Sequence, residues 1–432
     1  MKPVLAASLA LSLAFASQAV GQVPTLKPRE SVDRIAGAIQ SEFYDEAKGA
    51  KIAAELRAEA GRGTYDKLTD PRDFAGALTA RLRPLDGHFS VTWSPQADAA
   101  PAGPAVRRDP AAFAEQDRRA NYGFRAVEVL PGNVGRVDMR YFADFTPEDP
   151  AARKAADAAL ATIAGTDAVI FDLRDNGGGS PAMVGYLVGH FVPDGADIYN
   201  SFKMRGEPAA SEKPTVPITV PRRLNTPLYV LTSARTGSAA ESFAYTLQSA
   251  GRATIVGEAS GGGANPGGPR SVGDGLRVFI SNGSPTNPIT KKNWEGTGVI
   301  PDVAVASPQA LDRAYALAMT RLMSAPMSDA AKAENRWVLD SLVDPAPRGP
   351  ADLAPFAGTY GVYQVSVKDG GLTLRQGRRP ETTLKPLDDA GLFFVQGAPL
   401  RRVKFEGDAL VTLGPDGSSS RFARAAVATP GN

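Results

Sequence analysis

The segment LYVLTSARTGSAAESFAYTL at residues 228–247 constrains the fold most, because it reads as a strand, a tight turn and a helix in succession. The apolar run from Leu228 to Leu231 predicts a buried strand, and the Ala-rich run after Ser238 predicts a helix. Short apolar runs recur at 168–174 and 253–257, with helical patterns between them. This alternation predicts an α/β core.

Ser238 lies at the predicted junction between that strand and that helix. A hydroxyl there is beside free backbone N–H groups and the positive end of the helix dipole. One turn of backbone can therefore supply both a nucleophile and the groups that stabilise an oxyanion. Ser238 followed by Glu241 also fits a capping box. Taken alone, the segment leaves the cap and the nucleophile both open.

Residues 1–22 begin with a lysine, continue with a Leu/Ala-rich apolar run and end in small residues. This pattern predicts a signal peptide cleaved after Ala19 or Gly21. The apolar run is short for a membrane span, and no later segment resembles one. Since the chain contains no cysteine, it has no disulfide and no lipidated cysteine. We therefore expect a free exported protein, periplasmic or extracellular, with no membrane span after removal of the signal.

Patterns along the chain predict four further segments after the signal peptide. Residues 23–84 predict a helical N-terminal domain, and residues 85–343 contain the α/β core. Residues 94–120, rich in Ala, Pro, Asp and Arg, predict an exposed connection. A Pro-rich linker at 344–353 precedes short alternating runs at 354–432, which predict a small all-β barrel or sandwich.

Composition leaves few groups that could carry chemistry. The net charge of +2 gives no reason to expect nucleic acid as a partner. His190 lies at the end of an apolar helical pattern and is expected to be structural, whereas His88 precedes a predicted strand and is either a satisfied polar residue or a base. Two histidines without cysteine argue against a structural zinc site, and no metal or cofactor is expected.

Several serine mechanisms are excluded by pattern, because the chain contains neither G-x-S-x-G nor S-x-x-K. Its glycine-rich loops also match neither nucleotide-binding pattern. The loop DNGGGS at 175–180 follows a buried strand, where glycine N–H groups either form tight turns or bind an oxyanion. Glu295 in NWEGTGVIPDV is either part of a surface turn or a carboxylate that orients a histidine.

Together these segments resemble the tail-specific or C-terminal processing serine peptidases. The closer likeness is to the branch that contains the tricorn protease core and the interphotoreceptor retinoid-binding protein repeats. The resembling segments occur in family order over residues 30–325 and are LDGHFSV (85–91), NYGFRAVEVLPGNVG (121–135), IFDLRDNGGG (170–179), LTSARTGSAAE (231–241), IVGEASGGGAN (255–265) and NWEGTGVIPDV (293–303).

The resemblance implies a crotonase-like ββα superhelix as the core of the catalytic domain. It also implies a role for each matching residue. Ser238 is the nucleophile, His88 the general base and Glu295 the distal carboxylate that fixes the histidine. The backbone N–H groups that form the oxyanion hole belong to Ala239, Gly177 and Gly178.

The sequence departs from the family at two positions. Many processing peptidases use a Ser–Lys dyad, but the position of that lysine is Gly263 here, which leaves a Ser–Lys mechanism unsupported. In the tricorn core a serine before the histidine links it to the glutamate, and that position is Gly87. The histidine must then be oriented otherwise, and Asp86 and Ser90 share the geometry to do so, each two residues from His88.

Two functions follow from the resemblance. The first is an exported serine endopeptidase that cleaves peptides or unfolded chains through an acyl-enzyme. The second is a non-catalytic binding protein for apolar, retinoid-like or lipid-like ligands on the same fold, because fold does not decide function. The presence of Ser238, His88 and Glu295 together favours the peptidase.

Overall fold

The computed structural model of the protein describes residues 25–95, 110–342 and 349–426. The predicted signal peptide therefore lies outside the described residues, as do most of the predicted connection and part of the predicted linker. The described chain divides into two compact units. One comprises residues 25–85, 89–95 and 268–280, and the other comprises residues 86–88, 110–267, 281–342 and 349–426.

The helices and strands are numbered along the chain. The helices are α1 (Pro28–Glu42), α2 (Glu46–Gly61), α3 (Pro71–Leu82), α4 (Pro110–Arg119), α5 (Ala151–Thr162), α6 (Pro181–Gly189), α7 (Ala239–Ser249), α8 (Ala310–Met323), α9 (Asp329–Ser341) and α10 (Pro350–Leu353). The strands are β1 (Ser90–Trp93), β2 (Phe124–Leu130), β3 (Val134–Met139), β4 (Ala168–Asp172), β5 (Ser201–Met204), β6 (Ala210–Ser211), β7 (Leu228–Thr232), β8 (Thr254–Gly257), β9 (Gly267–Gly273), β10 (Leu276–Ser281), β11 (Gly283–Thr286), β12 (Val303–Ala304), β13 (Gly358–Tyr360), β14 (Tyr363–Lys368), β15 (Gly371–Gln376), β16 (Thr382–Pro386), β17 (Leu392–Val395), β18 (Ala398–Glu406), β19 (Ala409–Leu413) and β20 (Ser419–Ala423).

The first unit packs α1 to α3 with a small antiparallel sheet in the order β1-β10-β9. The helical spacing of Val32, Ile35 and Ile39 puts all three side chains on the buried face of α1. The Asp70 side chain caps α3 by accepting the Arg72 N–H at 2.9 Å. The predicted N-terminal helices are thus present, and β1 and the β9–β10 hairpin complete their core.

The second unit is built on a six-stranded sheet in the order β12-β8-β7-β4-β3-β2. Its strands are parallel except for the antiparallel pair β2–β3. Every residue of β4 and β7 is buried, as expected for parallel strands covered on both faces. Val169 and Phe171 of β4 point into one core and Ile170 into the other. The structure therefore confirms a mixed α/β fold.

The neighbouring parallel strands β4 and β7 position the candidate site. The carboxyl ends of parallel strands meet at one edge of a sheet, where ligands of open α/β folds bind. The glycine loop 175–180 follows β4, and the turn that contains Ser238 follows β7. A smaller antiparallel sheet, in the order β11-β5-β6, belongs to the same unit.

The C-terminal strands form one antiparallel sheet in which β13 to β20 follow one another in sequence order. Its two ends meet, since Tyr360 pairs with Arg424 and the Ala425 N–H donates to Thr359 O at 2.7 Å. The sheet therefore curls into a near-barrel, which decides between the barrel and the sandwich that the sequence left open. The boundaries predicted for separate domains stay predictions.

Helix α4 lies within the exposed connection predicted at 94–120, and its residues 114–119 are mostly exposed, but the sequence did not predict that they are helical. Its sequence, PAAFAEQDRR, contains mostly good helix formers, and Arg118 pairs with Glu115 one turn earlier at 2.8 Å. Local propensity thus forms a helix where the apolar pattern was too sparse to predict one. Among the described helices, none combines the length and the apolar character needed to cross a membrane.

Candidate active site

Ser238 lies at the N-terminus of α7 and is exposed. Its backbone has φ 50° and ψ −118°, a conformation that residues with a β-carbon rarely adopt. Two contacts fix the turn before it to the end of β4. The Thr236 hydroxyl donates to Leu173 O at 2.8 Å, and the Gly237 N–H donates to Asn176 O at 3.0 Å.

Ser238 also occupies the N-cap position of α7 and forms a capping box with Glu241. The Ser238 N–H donates to Glu241 Oε2 at 2.7 Å. The cap that the sequence offered as the alternative to a nucleophile is thus present. It accounts for the start of the helix and leaves the unusual backbone of the serine unexplained.

The glycine loop after β4 packs directly against Ser238. A β-carbon added at Gly178, which has φ 115°, would lie 2.7 Å from the Ser238 Cβ and 3.0 Å from the Ala239 N. The predicted oxyanion donors of Gly178 and Ala239 therefore belong to backbone segments in contact. The Gly178 N–H donates to Asn176 Oδ1 at 2.9 Å, so it is already used within the loop, and Gly177 beside it is exposed.

His88 has two carboxylates at the same ring nitrogen. Its Nδ1 lies 3.3 Å from Asp86 Oδ1 and 3.4 Å from Glu295 Oε1. Hydrogen bonding to Asp86 and then to Glu295 raises the pKa of His88 to about 10, while partial burial opposes the shift. Two acceptors at Nδ1 favour the tautomer with its proton there, which leaves Nε2 as the acceptor.

Asp86 is buried and holds both the ring and the backbone of His88. Its Oδ1 accepts the His88 N–H at 2.9 Å, and its Oδ2 accepts from Asn265 Nδ2 at 3.3 Å. Burial alone would raise the pKa of Asp86, but the hydrogen bonds from His88 outweigh it and lower this pKa. Of the two orienting residues that the sequence left open, Asp86 contacts the imidazole, whereas Ser90 begins β1 opposite Phe279.

Glu295 reaches the histidine without a bridging residue. Its Oε2 accepts the N–H groups of Ala264 at 2.8 Å and Asn265 at 3.0 Å, which directs Oε1 toward Nδ1. A β-carbon at Gly87 would lie 4.0 Å from Oε1, an ordinary van der Waals distance. The missing serine at position 87 is therefore compatible with a direct carboxylate contact.

The other ring nitrogen of His88, Nε2, lies beside Gly263. A β-carbon added at Gly263 would lie 3.0 Å from His88 Nε2 and 3.5 Å from Glu241 Oε2. Glu241 Oε2 is also the atom that accepts the Ser238 N–H. His88 Nε2 and the carboxylate of Glu241 thus border the same space. This space is open because Gly263 has no side chain.

His190 has a different environment. It caps the end of α6, and its Nδ1 lies 2.9 Å from Tyr186 O. Burial lowers its pKa. This buried position agrees with the structural role that the sequence predicted for it.

Asp86, His88 and Glu295 also meet the geometric minimum for a metal site, because one ligand atom from each lies within 4.8 Å of the others. A histidine paired with two carboxylates produces the same cluster without any ion. The expectation that no metal is required stays a prediction.

Three supporting residues were missed by sequence reasoning. Asn176 accepts from Gly178, Asn265 donates to Asp86, and Glu241 contacts residues well beyond the helix it caps. For Asn176 and Asn265 the only signal was their place beside the glycine loops. For Glu241 the signal was the capping box, which predicts only its local contact.

The site contains the parts that a serine hydrolase requires. These are an exposed serine on a strained strand-to-helix turn, a glycine loop packed against it, and an imidazole flanked by two carboxylates. Residues 133–305 match the model of peptidase family S41. This match supports a peptidase and confirms the resemblance to the tail-specific or C-terminal processing peptidases. The match contains the glycine loop, Ser238 and Glu295, while Asp86 and His88 precede it.

Solved structures of similar proteins include a putative peptidase from Parabacteroides merdae ATCC 43184. It is 20% identical with a TM-score of 0.48, over 69% of this chain and 99% of that chain. A lipoprotein from Streptococcus agalactiae is 14% identical with a TM-score of 0.46, over 69% of this chain and 97% of that chain. A photosystem II D1 C-terminal processing protease is 18% identical with a TM-score of 0.41, over 65% of this chain and 94% of that chain.

Proposed function

We propose that the protein is a serine peptidase in which Ser238 is the nucleophile and His88 its general base. The observation that carries this proposal is the backbone of Ser238. N-cap residues normally have extended φ and ψ angles, as Ser180 and Ser328 do in this chain at φ −84° and −65°. The positive φ of Ser238 costs on the order of 1–3 kcal/mol, and a cap gains nothing from it.

The groups at Ser238 support an acyl-enzyme reaction. Ser238 Oγ attacks the carbonyl carbon of the substrate as its proton moves to His88 Nε2. The new oxyanion accepts from the N–H groups of Ala239 and Gly177, and from that of Gly178 once it leaves Asn176 Oδ1. Collapse breaks the C–N bond, and the amine leaves with the proton from His88. Water then attacks the acyl carbon and gives a proton to His88. Collapse breaks the bond between the acyl carbon and Ser238 Oγ, His88 returns the proton to Oγ, and the acid leaves.

Asp86 and Glu295 orient the base in this proposal. Both approach Nδ1, so the imidazole is held from two sides and its positive charge is stabilised when it takes the serine proton. Because Asp86 follows the helical segment of the chain and Glu295 lies in a distant loop, the histidine has support from two separate parts of the chain.

A carrier of apolar ligands is the alternative on this fold. Neither a strained exposed serine nor a histidine with paired carboxylates serves such a carrier. We therefore retain the peptidase alone, with peptides or unfolded chains as the proposed substrates.

The proposed location is outside the cytoplasm, on the basis of residues 1–22. Fractionation of cells that produce the full chain, with N-terminal sequencing of the product, tests this. An uncleaved protein in the cytoplasmic fraction would contradict it.

The decisive experiment is labelling of the mature protein with a fluorophosphonate probe. We expect a covalent adduct at Ser238, and we expect Ser238→Ala to abolish labelling while the protein stays folded. His88→Ala should also abolish it, whereas His190→Ala should mainly lower stability. Labelling that survives in Ser238→Ala would leave Ser238 as a helix cap only.

A further inference from the structure

Glu241 contacts far more than the helix it caps. Its side chain is fully buried and accepts four hydrogen bonds. One comes from the Ser238 N–H at 2.7 Å, and the other donors are Ser260 Oγ at 2.6 Å, the Gly262 N–H at 2.6 Å and the Gly263 N–H at 2.9 Å. Three of the four donors thus belong to the glycine-rich segment 260–263, about twenty residues further along the chain.

The segment 260–263 in turn holds the loop that contains Glu295. Ser260 Oγ accepts the Val299 N–H at 2.6 Å, and Gly262 O accepts the Gly296 N–H at 2.9 Å. One carboxylate therefore ties the nucleophile turn to the segment against which His88 Nε2 rests and, through it, to the loop of Glu295.

We infer that Glu241 is a positioning residue for catalysis, which sets the distance between Ser238 and the His88–Glu295 pair. This inference rests on the proposed function. An ionised carboxylate accepts only, and its two oxygens suffice for the four donors. Glutamine would offer one accepting oxygen and turn N–H groups toward two of the donors, although its shape is nearly the same.

A purely structural cap makes a different prediction. The cap uses only the bond between Glu241 and the Ser238 N–H, so its loss weakens the first turn of α7. The positioning role makes a further prediction. Substitutions in segment 260–263 that remove its hydrogen bonds to Glu241 should slow the reaction even though the cap stays intact.

The test measures the rate of fluorophosphonate labelling at Ser238 in Glu241→Gln, Ser260→Ala and the control Glu212→Gln. Glu212 is a second buried carboxyl group that contacts α7. It accepts from the Ser242 hydroxyl at 2.5 Å and from Asn200 Nδ2 at 3.5 Å, and neither donor belongs to segment 260–263. We expect about a hundredfold slower labelling in Glu241→Gln, because small misplacements of reacting groups have effects of that size. Ser260→Ala, which keeps the cap, should label several-fold more slowly than the wild type, and Glu212→Gln should label normally.

The pH dependence of labelling separates positioning from stability. Since Glu241 borders the space that His88 Nε2 faces, we expect Glu241→Gln to displace the acid limb of the rate profile as well as its plateau. Labelling of folded Ser260→Ala at the wild-type rate, with an unchanged pH profile, would overturn the inference even if Glu241→Gln does not fold. Absence of labelling in the wild type would overturn the proposed function instead.

Discussion

A β-carbon at Gly263 would lie 3.0 Å from His88 Nε2, a tighter contact than most β-carbons make. The imidazole and a side chain at position 263 therefore compete for the same space. The resemblance placed the lysine of Ser–Lys relatives at this position. A side chain at position 263 would therefore have to displace the imidazole.

Gly263→Ala should consequently displace the imidazole by a few tenths of an ångström and slow turnover by about ten- to a hundredfold. The measurement is kcat/KM on an unstructured peptide, or the labelling rate if no peptide is cleaved. Gly165→Ala is the control, because a β-carbon at Gly165 meets nothing within 4 Å. Equal rates in Gly263→Ala and the wild type would show that the reaction rate does not depend on the present position of the imidazole.

The pH profile should reveal the paired carboxylates. Because Asp86 and Glu295 raise the pKa of His88 to about 10, the free base forms only as pH rises toward that value. Activity should therefore increase with pH well beyond 6.5, the ordinary pKa of histidine.

Asp86→Asn removes one of the two charges at Nδ1. The acid limb should then move to lower pH while the maximum rate falls, since the ring is held less firmly. Glu295→Gln should shift the limb in the same direction. A wild-type limb near 6.5 that neither variant moves would contradict the assignment of His88 as base.

Glu212 should make stability depend on pH. Burial raises its pKa from 4.5 to about 8, so the folded state binds its proton more tightly than the unfolded state. The stabilisation from this proton is fully present below pH 4.5 and is lost as pH rises through about 8. Glu212→Gln should therefore gain stability relative to the wild type between pH 5 and pH 9, measured by urea unfolding at both values, and a difference that is constant over this range would refute the prediction.

Removal of residues from Pro345 onward should preserve Ser238 labelling but lower the unfolding temperature. Arg402 of β18 lies 4.2 Å above the Trp337 ring of α9 and pairs with Asp340 at 3.0 Å, so the truncation exposes this face of α9. Arg402→Ala in the full chain is the milder test and should lower stability without slowing labelling. A loss of labelling in folded truncated protein would mean that the C-terminal sheet contributes to the site.

Local patterns were sufficient for the parts of the fold that depend on neighbours in sequence. The strand-to-helix turn at Ser238, the strand before the glycine loop and the alternating C-terminal strands all appear where apolar spacing predicted them. Helix α4 was missed because its described residues 114–119 are mostly exposed, so no apolar spacing marks the helix.

The residues that hold the site in place make contacts with residues distant in sequence. Sequence spacing alone cannot show which of several candidates makes such a contact. Asp86 and Ser90 are both two residues from His88, and only the folded backbone shows that Asp86 meets Nδ1. Likewise the bond from Glu241 to Ser238 follows from the capping box, but its bonds to Ser260 and Gly262 depend on how the chain returns after β8.

The bond between the Ala425 N–H and Thr359 O bears on solubility. A sheet with free edges offers unpaired backbone to any extended peptide, and the proposed substrates of this protein are such peptides. By joining its first and last strands, the C-terminal sheet leaves little edge on which an unfolded chain could add a strand. The C-terminal sheet thus offers the proposed unfolded substrates little exposed strand edge on which they could aggregate.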